Sequence, residues 1–372
     1  MYTSSVLGRI MPPAGLRLRP RSSNSYVPQG TACLEERLLL TGTVPTTLPG
    51  ATAILAGAAQ RFSGVPGRSV GTLVTSSGTR AAQLGHHPGH RNPNPPVAVA
   101  GTNQTVNRDI TYTVAMGQPE QLDVYVPKGI APAGGWPVIV AIHGGGWRRF
   151  DKSEYGRRIA SAFVPHGYVV VAPNYPLSSR GSASWPLNLE DIQSVVRWVK
   201  INAGRFHIDA GRIAAMGESA GANLANLLGT SSGSAARSGS AGSAAVDAVV
   251  SFSSPTDLAA LYAASPGARR AVAQFLGGPP AAVPDNYAAA SPVDQVSPAD
   301  PPTFLVHGGT DPLVPVSQSQ ELAAALRQAG VPNQLVVIPG AGHDLDFPIK
   351  TPRNLLFQIL EFLDTTWNDK VS

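Results

Sequence analysis

The sequence predicts an α/β fold, a mostly parallel central sheet with helices on both faces, preceded by a largely disordered N-terminal tail. Three observations predict it. Short, largely β-branched apolar runs ("VIVAI", "YVVVA", "AVVSF", "FLVHG", "LVVI") recur through the last two thirds of the chain. Segments with helical spacing stand between or after them. The first 107 residues show neither pattern.

The tail comes first. "MPPAGLRLRPRSSNSYVPQGT" and "GHHPGHRNPNPPVAVAGTNQT" are rich in proline, glycine and small polar residues. Such stretches cannot bury enough apolar surface to offset the entropy lost on ordering. Residues 1–107 are therefore expected to be low-complexity tail and residues 108–372 the folded domain. His86, His87 and His90 lie in the tail without an acid or cysteine to complete a metal site, so they read as solvated linker. The 372 residues carry a net charge of +5, but its distribution is uneven: residues 1–108 hold +8 and the remainder −3. The folded part is thus mildly acidic, which argues against a nucleic-acid groove. Cys33 is the single cysteine, excluding an intrachain disulfide and a cysteine-based metal cluster. No run of about 18 apolar residues marks a membrane span.

Regular structure is expected to begin near Asp109. "DITYTVA" and "QLDVYVP" alternate apolar and polar residues around "MGQPE", the pattern of an antiparallel hairpin. Val138 to Ile142 follow as a strand buried on both faces, and "GYVVVAPNYP" as a second. "NLEDIQSVVRWVKINA" has Ile192, Val195, Val196 and Val199 on one helical face. "RIAAMG" reads as a short strand and "SAGANLANLLG" as a helix running to Gly229. Gly229 to Ala245 form a low-complexity insert, expected to be a surface loop. "AVDAVVSFSS", "PTFLVHGG" and "NQLVVIPG" are further strands, the last two flanking the helix "SQELAAALRQAG". "RNLLFQILEFLDTTW" closes the chain as a helix.

Within this frame four short stretches carry chemistry. Gly217-Glu218-Ser219-Ala220-Gly221 lies between a strand and a helix, the context a nucleophile elbow requires. There the serine takes strained backbone angles, and its neighbours two residues away must be small. "HGGGW", His143 to Trp147, follows another strand. Its glycines allow backbone N–H groups of Gly144 and Gly145 to turn inward, and with that of Ala220 they make three candidate oxyanion donors. Losing one such donor costs about 3–4 kcal/mol of transition-state stabilisation elsewhere. "HGGTDPLVP" offers Asp311 and "PGAGHDLDF" offers His343, each in a loop just after a strand. A serine hydroxyl needs a base, and the base an orienting acid. The three side chains fall at carboxyl ends of parallel strands, where open sheets place their sites.

Other groups compete. His143 reads as structural, bonding backbone within its loop. His166 precedes Gly167 at a helix end, His207 lies in a loop, and His307 is placed to brace the acid loop. Asp344 and Asp346 are too close in sequence to His343 to reach its Nδ1, and Asp257 is the alternative acid. Glu218 is assigned to orienting the elbow rather than titrating. Trp147, Trp185, Leu313 and Phe347 are candidates for a substrate pocket wall, with core packing as the competing role for each.

"HGGGW", "GESAGAN", "HGGTDPLVP" and "GAGHDLDF", with "QLDVYVP" ahead of them, together resemble the α/β-hydrolase esterases of the hormone-sensitive-lipase-like and BD-FAE groups over about Asp109 to Trp367. The resemblance implies Ser219 as nucleophile, Asp311 and His343 as its partners, and Gly144, Gly145 and Ala220 as oxyanion donors. It implies no cofactor. From the candidate pocket residues and the triad chemistry, the expected substrate is a short-chain, aryl or sugar ester, free or linked to a polysaccharide, with an amide (exopeptidase or formamidase) as the alternative. Pro176 stands where such proteins often have arginine, and Asn223 where glycine is common. No separate helical cap is evident, so Ser253 to Pro298 are expected to form only a small lid. In the tail, "CLEERLLLTG" (Cys33 to Gly42) resembles the LEPR-XLL motif of large, often exported bacterial proteins through Leu34, Glu35, Arg37, Leu39 and Leu40. Glu36 replaces its usual proline. Export is the corresponding expectation, with the cytoplasm as the alternative, since no apolar core of a standard signal peptide closely follows Met1.

Overall fold

The computed structural model describes residues 97–98, 103–230 and 242–368. The LEPR-XLL-like stretch, the tail histidines and most of the insert between Gly229 and Ala245 lie outside the described residues.

Among the described residues nine strands form one sheet: β1 (Val97–Ala98), β2 (Gln104–Ala115), β3 (Gln118–Pro127), β4 (Trp136–Ile142), β5 (Val169–Pro173), β6 (Ile208–Glu218), β7 (Ala248–Phe252), β8 (Thr303–Gly308) and β9 (Asn333–Ile338). Their spatial order is β1-β2-β3-β5-β4-β6-β7-β8-β9. The pairings from β1 through β3 to β5 are antiparallel, and every pairing from β5 to β9 is parallel. The hairpin is longer than its sequence pattern suggested. It starts at Gln104, and two residues of the expected tail, Val97 and Ala98, add a short edge strand to it. Register shifts around Ile110 and Thr111–Thr113 interrupt the alternation in β2, which hid its true start.

The β-branched runs are buried for the reason their composition implied: both faces of the parallel strands carry core. Val138, Val140 and Ile142 of β4 point into one apolar cluster, while Ile139 and Ala141 point into the other. This is the two-residue strand period. The first face is covered by α2 (Leu187–Ile201) and α4 (Ala220–Thr230), the second by α1 (Lys152–Phe163) and α9 (Leu355–Asn368). In α2 the buried residues include Ile192, Val195, Val196 and Val199, the face expected from spacing. This is an α/β-hydrolase fold.

α1 carries a weaker signal. Tyr155, Ile159, Ala160 and Phe163 share its buried face, but Gly156 interrupts the helical composition. A Cβ at Gly156 would stand 2.5 Å from the Ala172 Cβ on β5, so the glycine is what lets the helix lie against the sheet. Asp151 caps this helix, accepting from the Ser153 N–H at 2.7 Å.

Between β7 and β8 the chain forms α5 (Leu258–Ala264), α6 (Pro266–Leu276) and α7 (Pro284–Ala289), where a small lid was expected. Asn223, fully buried on α4, donates to the Pro255 and Ala290 carbonyls at 3.2 and 3.1 Å. The residue that departs from the family pattern thus ties α4 to this segment. α3 (Ala203–Phe206) precedes β6, and α8 (Ser317–Gln328) links β8 to β9. Among the described residues no helix is long and apolar enough to cross a membrane.

Candidate active site

β4, β6, β8 and β9 all end on the same edge of the sheet, and each delivers one part of the site. β6 ends at Glu218, and α4 starts at Ala220. Ser219 between them has φ +55°, the left-handed region that a side chain avoids unless the surroundings impose it. They do impose it. A Cβ on Gly217 would run into the Gly221 backbone, and one on Gly221 into the carbonyls of Ile142 and His143. Bare backbone at both positions lets the turn be this tight, so the serine side chain is turned outward.

Ser219 Oγ lies 2.8 Å from His343 Nε2. His343 Nδ1 lies 2.7 Å from Asp311 Oδ2. A carboxylate accepts only, so Nδ1 carries the proton and Nε2 is free to accept the serine hydroxyl. The other oxygen of Asp311 accepts the N–H groups of Leu313 and Val314, both at 2.9 Å. His307, fully buried, bonds Ser319 Oγ at 2.7 Å and the Val314 carbonyl at 2.9 Å, with Nε2 3.4 Å from Asp311 Oδ2. It braces the acid loop, as expected. Burial alone raises the Asp311 carboxyl, but hydrogen bonds from His307, His343 and the Val314 N–H outweigh it and hold it well below the usual carboxylate range. Asp257, the alternative acid, instead caps α5 through the Ala260 N–H at 2.8 Å.

The glycine turn after β4 sits beside Ser219: a Cβ on Gly144 would be 3.4 Å from the Ser219 Cβ. Its orientation is set from behind by a residue the sequence did not single out. The Tyr175 hydroxyl donates to the His143 carbonyl at 2.8 Å. His143 Nδ1 bonds the Gly144 carbonyl at 2.8 Å, and its ring stacks on Tyr175 with centroids 4.4 Å apart. In a trans peptide the N–H points opposite the carbonyl. Pinning the carbonyls of His143 and Gly144 on one side therefore turns the N–H groups of Gly144 and Gly145 to the other. Gly145 has φ +109°, which only glycine adopts readily. Ala220 opens α4, so its N–H has no acceptor within the helix. Burial lowers the His143 pKa to about 4, so it stays neutral near pH 7 and is structural. The signal for Tyr175 was an aromatic residue just past the end of a buried strand, which also describes ordinary core packing.

Replacing Tyr175 with phenylalanine keeps the stack and removes the bond to His143. On the hydrolase reading proposed below, the expected result is about a tenfold fall in kcat with KM nearly unchanged, since the loss would be felt where oxyanion charge develops. Steady-state kinetics on a p-nitrophenyl ester checks it.

A cavity of about 460 Å³ opens over Ser219 and His343. Trp147 and Leu313 line it. Trp185 and Phe347 do not. Trp185 packs edge-on against Phe275, on whose other contact Trp147 stacks at 4.4 Å. Phe347 is 2% exposed and lies in the core on the opposite face of the sheet, tilted against Phe252 and Phe163 at 5.0 and 6.0 Å. It follows His343 by four residues, but the loop turns it under the sheet. Truncating Phe347 to alanine is expected to cost about 3–5 kcal/mol of stability, read from urea unfolding.

Glu218 faces Arg158, which binds it through Nη2 and binds Asp346 through Nη1. Lys350 bonds Asp346 at 2.5 Å. This network joins α1, the elbow and the His343 loop. Burial raises the Glu218 carboxyl, and Arg158 opposes that shift. Arg158 was not identified from sequence, because nothing local links it to residues 60 and 188 positions away.

The BD-FAE family model matches residues 122–326. The chain belongs to the BD-FAE family. The match covers Ser219 and Asp311 and ends before His343, which this BD-FAE chain supplies from the loop after β9. Esterase LipQ of Mycobacterium tuberculosis is 31% identical over 242 residues, 64% of this chain and 57% of LipQ. The chain therefore spans under two thirds of that relative. An esterase, Est2, from the Planctomycetes species Thermogutta terrifontis is 26% identical, with TM-score 0.55 over 68% of this chain and 89% of that one. An acetyl ester-xyloside bifunctional hydrolase from Caldicellulosiruptor lactoaceticus is 25% identical, with TM-score 0.57 over 66% and 88%.

Proposed function

We propose that this chain is a serine carboxylic ester hydrolase, with Ser219 as nucleophile, His343 as general base and acid, and Asp311 as orienting acid. The observation that carries the reading is the unbroken hydrogen-bonded line from Ser219 Oγ through His343 to Asp311, at 2.8 and 2.7 Å, facing an open cavity. The similar proteins LipQ and Est2 are esterases, which supports the reading.

Ser219 Oγ attacks the ester carbonyl as His343 Nε2 takes its proton. The carbonyl π electrons move onto oxygen, where the N–H groups of Gly144, Gly145 and Ala220 receive them. The tetrahedral centre collapses, the C–O bond to the alcohol breaks, and His343 returns the proton to the leaving oxygen. Water then repeats the sequence on the acyl-enzyme, freeing acid and Ser219. Asp311 holds the imidazole in the required tautomer and stabilises its cation.

The cavity volume suits short acyl groups with a small, aryl or sugar alcohol. Purified protein is expected to hydrolyse p-nitrophenyl acetate and to bind a fluorophosphonate probe covalently at Ser219. Folded protein that shows neither activity nor labelling would sink the proposal. Peptide and N-formyl substrates in the same panel test the amide alternative, and turnover of these above that of esters would favour it. Release of acetate from acetylated xylan tests the polysaccharide-linked substrate.

A further inference from the structure

One wall of the cavity carries arginines that form no salt bridge among the described residues. Arg148 and Arg149 follow the glycine turn directly, and both line the cavity. Arg149 is close to the turn: a Cβ on Gly145 would stand 2.9 Å from the Arg149 carbonyl carbon. Arg148 Nη1 donates to Gln274 Oε1 on α6 at 2.8 Å. Arg270 lies four residues before Gln274 on that helix, one turn along the same face. Burial and then the charges of Arg149 and Arg270 destabilise the Arg148 cation, and no acid offsets them.

The acids around the cavity are committed elsewhere. Glu218 and Asp346 share Arg158, Lys350 bonds Asp346 and approaches Asp344, and Asp151 caps α1. Among the described residues, Glu154, exposed in the first turn of α1, and Asp151 are the cavity acids outside any salt bridge; Arg148 and Arg149 line the cavity, and Arg270, outside its lining, adds charge from α6. A second observation points the same way. Trp147 Nε1 and Arg148 Nε are buried without a hydrogen-bond partner, and both belong to side chains lining the cavity. Each is a donor only, so a ligand bearing acceptor oxygens suits this wall better than one bearing donors.

We propose that the cavity takes esters that also carry a carboxylate, bound on the α6 side by Arg148 and Arg149, with Arg270 adding to the positive charge from behind. A carboxylate supplies acceptors in the planar pairing that a guanidinium fork matches, and it neutralises the cluster. A sugar hydroxyl does neither. This substrate class rests on the ester-hydrolase reading above.

The test uses two matched pairs on the full chain. 4-Acetoxybenzoate against its methyl ester places the carboxylate on the alcohol side. p-Nitrophenyl hemisuccinate against p-nitrophenyl butyrate places it on the acyl side. The readout is the acidic-to-neutral ratio of kcat/KM, compared with that of Arg149→Gln/Arg270→Gln, whose two arginines are exposed. In at least one pair the ratio is expected to be about tenfold higher in the parent than in the variant, a charge-pairing effect of about 1.4 kcal/mol. It is also expected to fall as salt is raised. Turnover with the same ratio in parent and variant for both pairs would overturn this proposal and leave the hydrolase reading standing. No turnover and no fluorophosphonate labelling would overturn both.

Discussion

Replacing Ser219 with alanine is expected to cut kcat on p-nitrophenyl acetate by about 10⁴-fold or more, leaving only what the backbone donors and binding supply. The fold should persist. Gly217 and Gly221 make the close approaches at the turn, and the Ser219 N–H still donates to the Phe252 carbonyl, 2.8 Å away. An unchanged melting transition beside lost activity and lost fluorophosphonate labelling is the expected pattern. Undiminished hydrolysis would show that another group attacks the ester.

Asp311→Asn is expected to be nearly as severe, about 10⁴-fold in kcat, for a different reason. The carboxylate accepts from His343 Nδ1–H, whereas an amide can present N–H there instead. The imidazole proton then moves to Nε2, which can no longer accept from Ser219. Shape is conserved, so KM should change little. Asp311 also has a stability consequence with a defined sign. Its folded-state pKa is depressed, so its contribution is complete above the ordinary carboxylate pKa of about 4 and is lost as pH falls below that. Acid unfolding of Asp311→Asn compared with the parent should therefore show a shallower loss of stability below about pH 4.

Several elements were legible because the physics that forms them is local. A strand buried on both faces must be apolar at nearly every position, so Val138–Ile142 and Val169–Pro173 announced themselves. Ser219, Asp311 and His343 were legible because each follows such a strand and each sits among small residues that a sharp turn needs. α1 was less so, because Gly156 is chosen for contact with Ala172 rather than for helix propensity. Trp185 and Phe347 show the limit for pocket walls. An aromatic side chain near a site in sequence has the same composition whether it faces the cavity or the core.

By itself the sequence determined the α/β class, the order of the parallel strands along the chain, and the three residues that meet at the sheet edge. These depend on period, composition and turn chemistry, which neighbouring residues specify. Tertiary structure decided what those residues touch. It put Tyr175 behind the glycine turn, Arg158 between Glu218 and Asp346, and Arg148 against α6. It also turned Phe347 into the core. Each of these contacts joins segments far apart in the chain, and their partners are chosen by how helices and loops pack on the sheet, a geometry that no local pattern encodes.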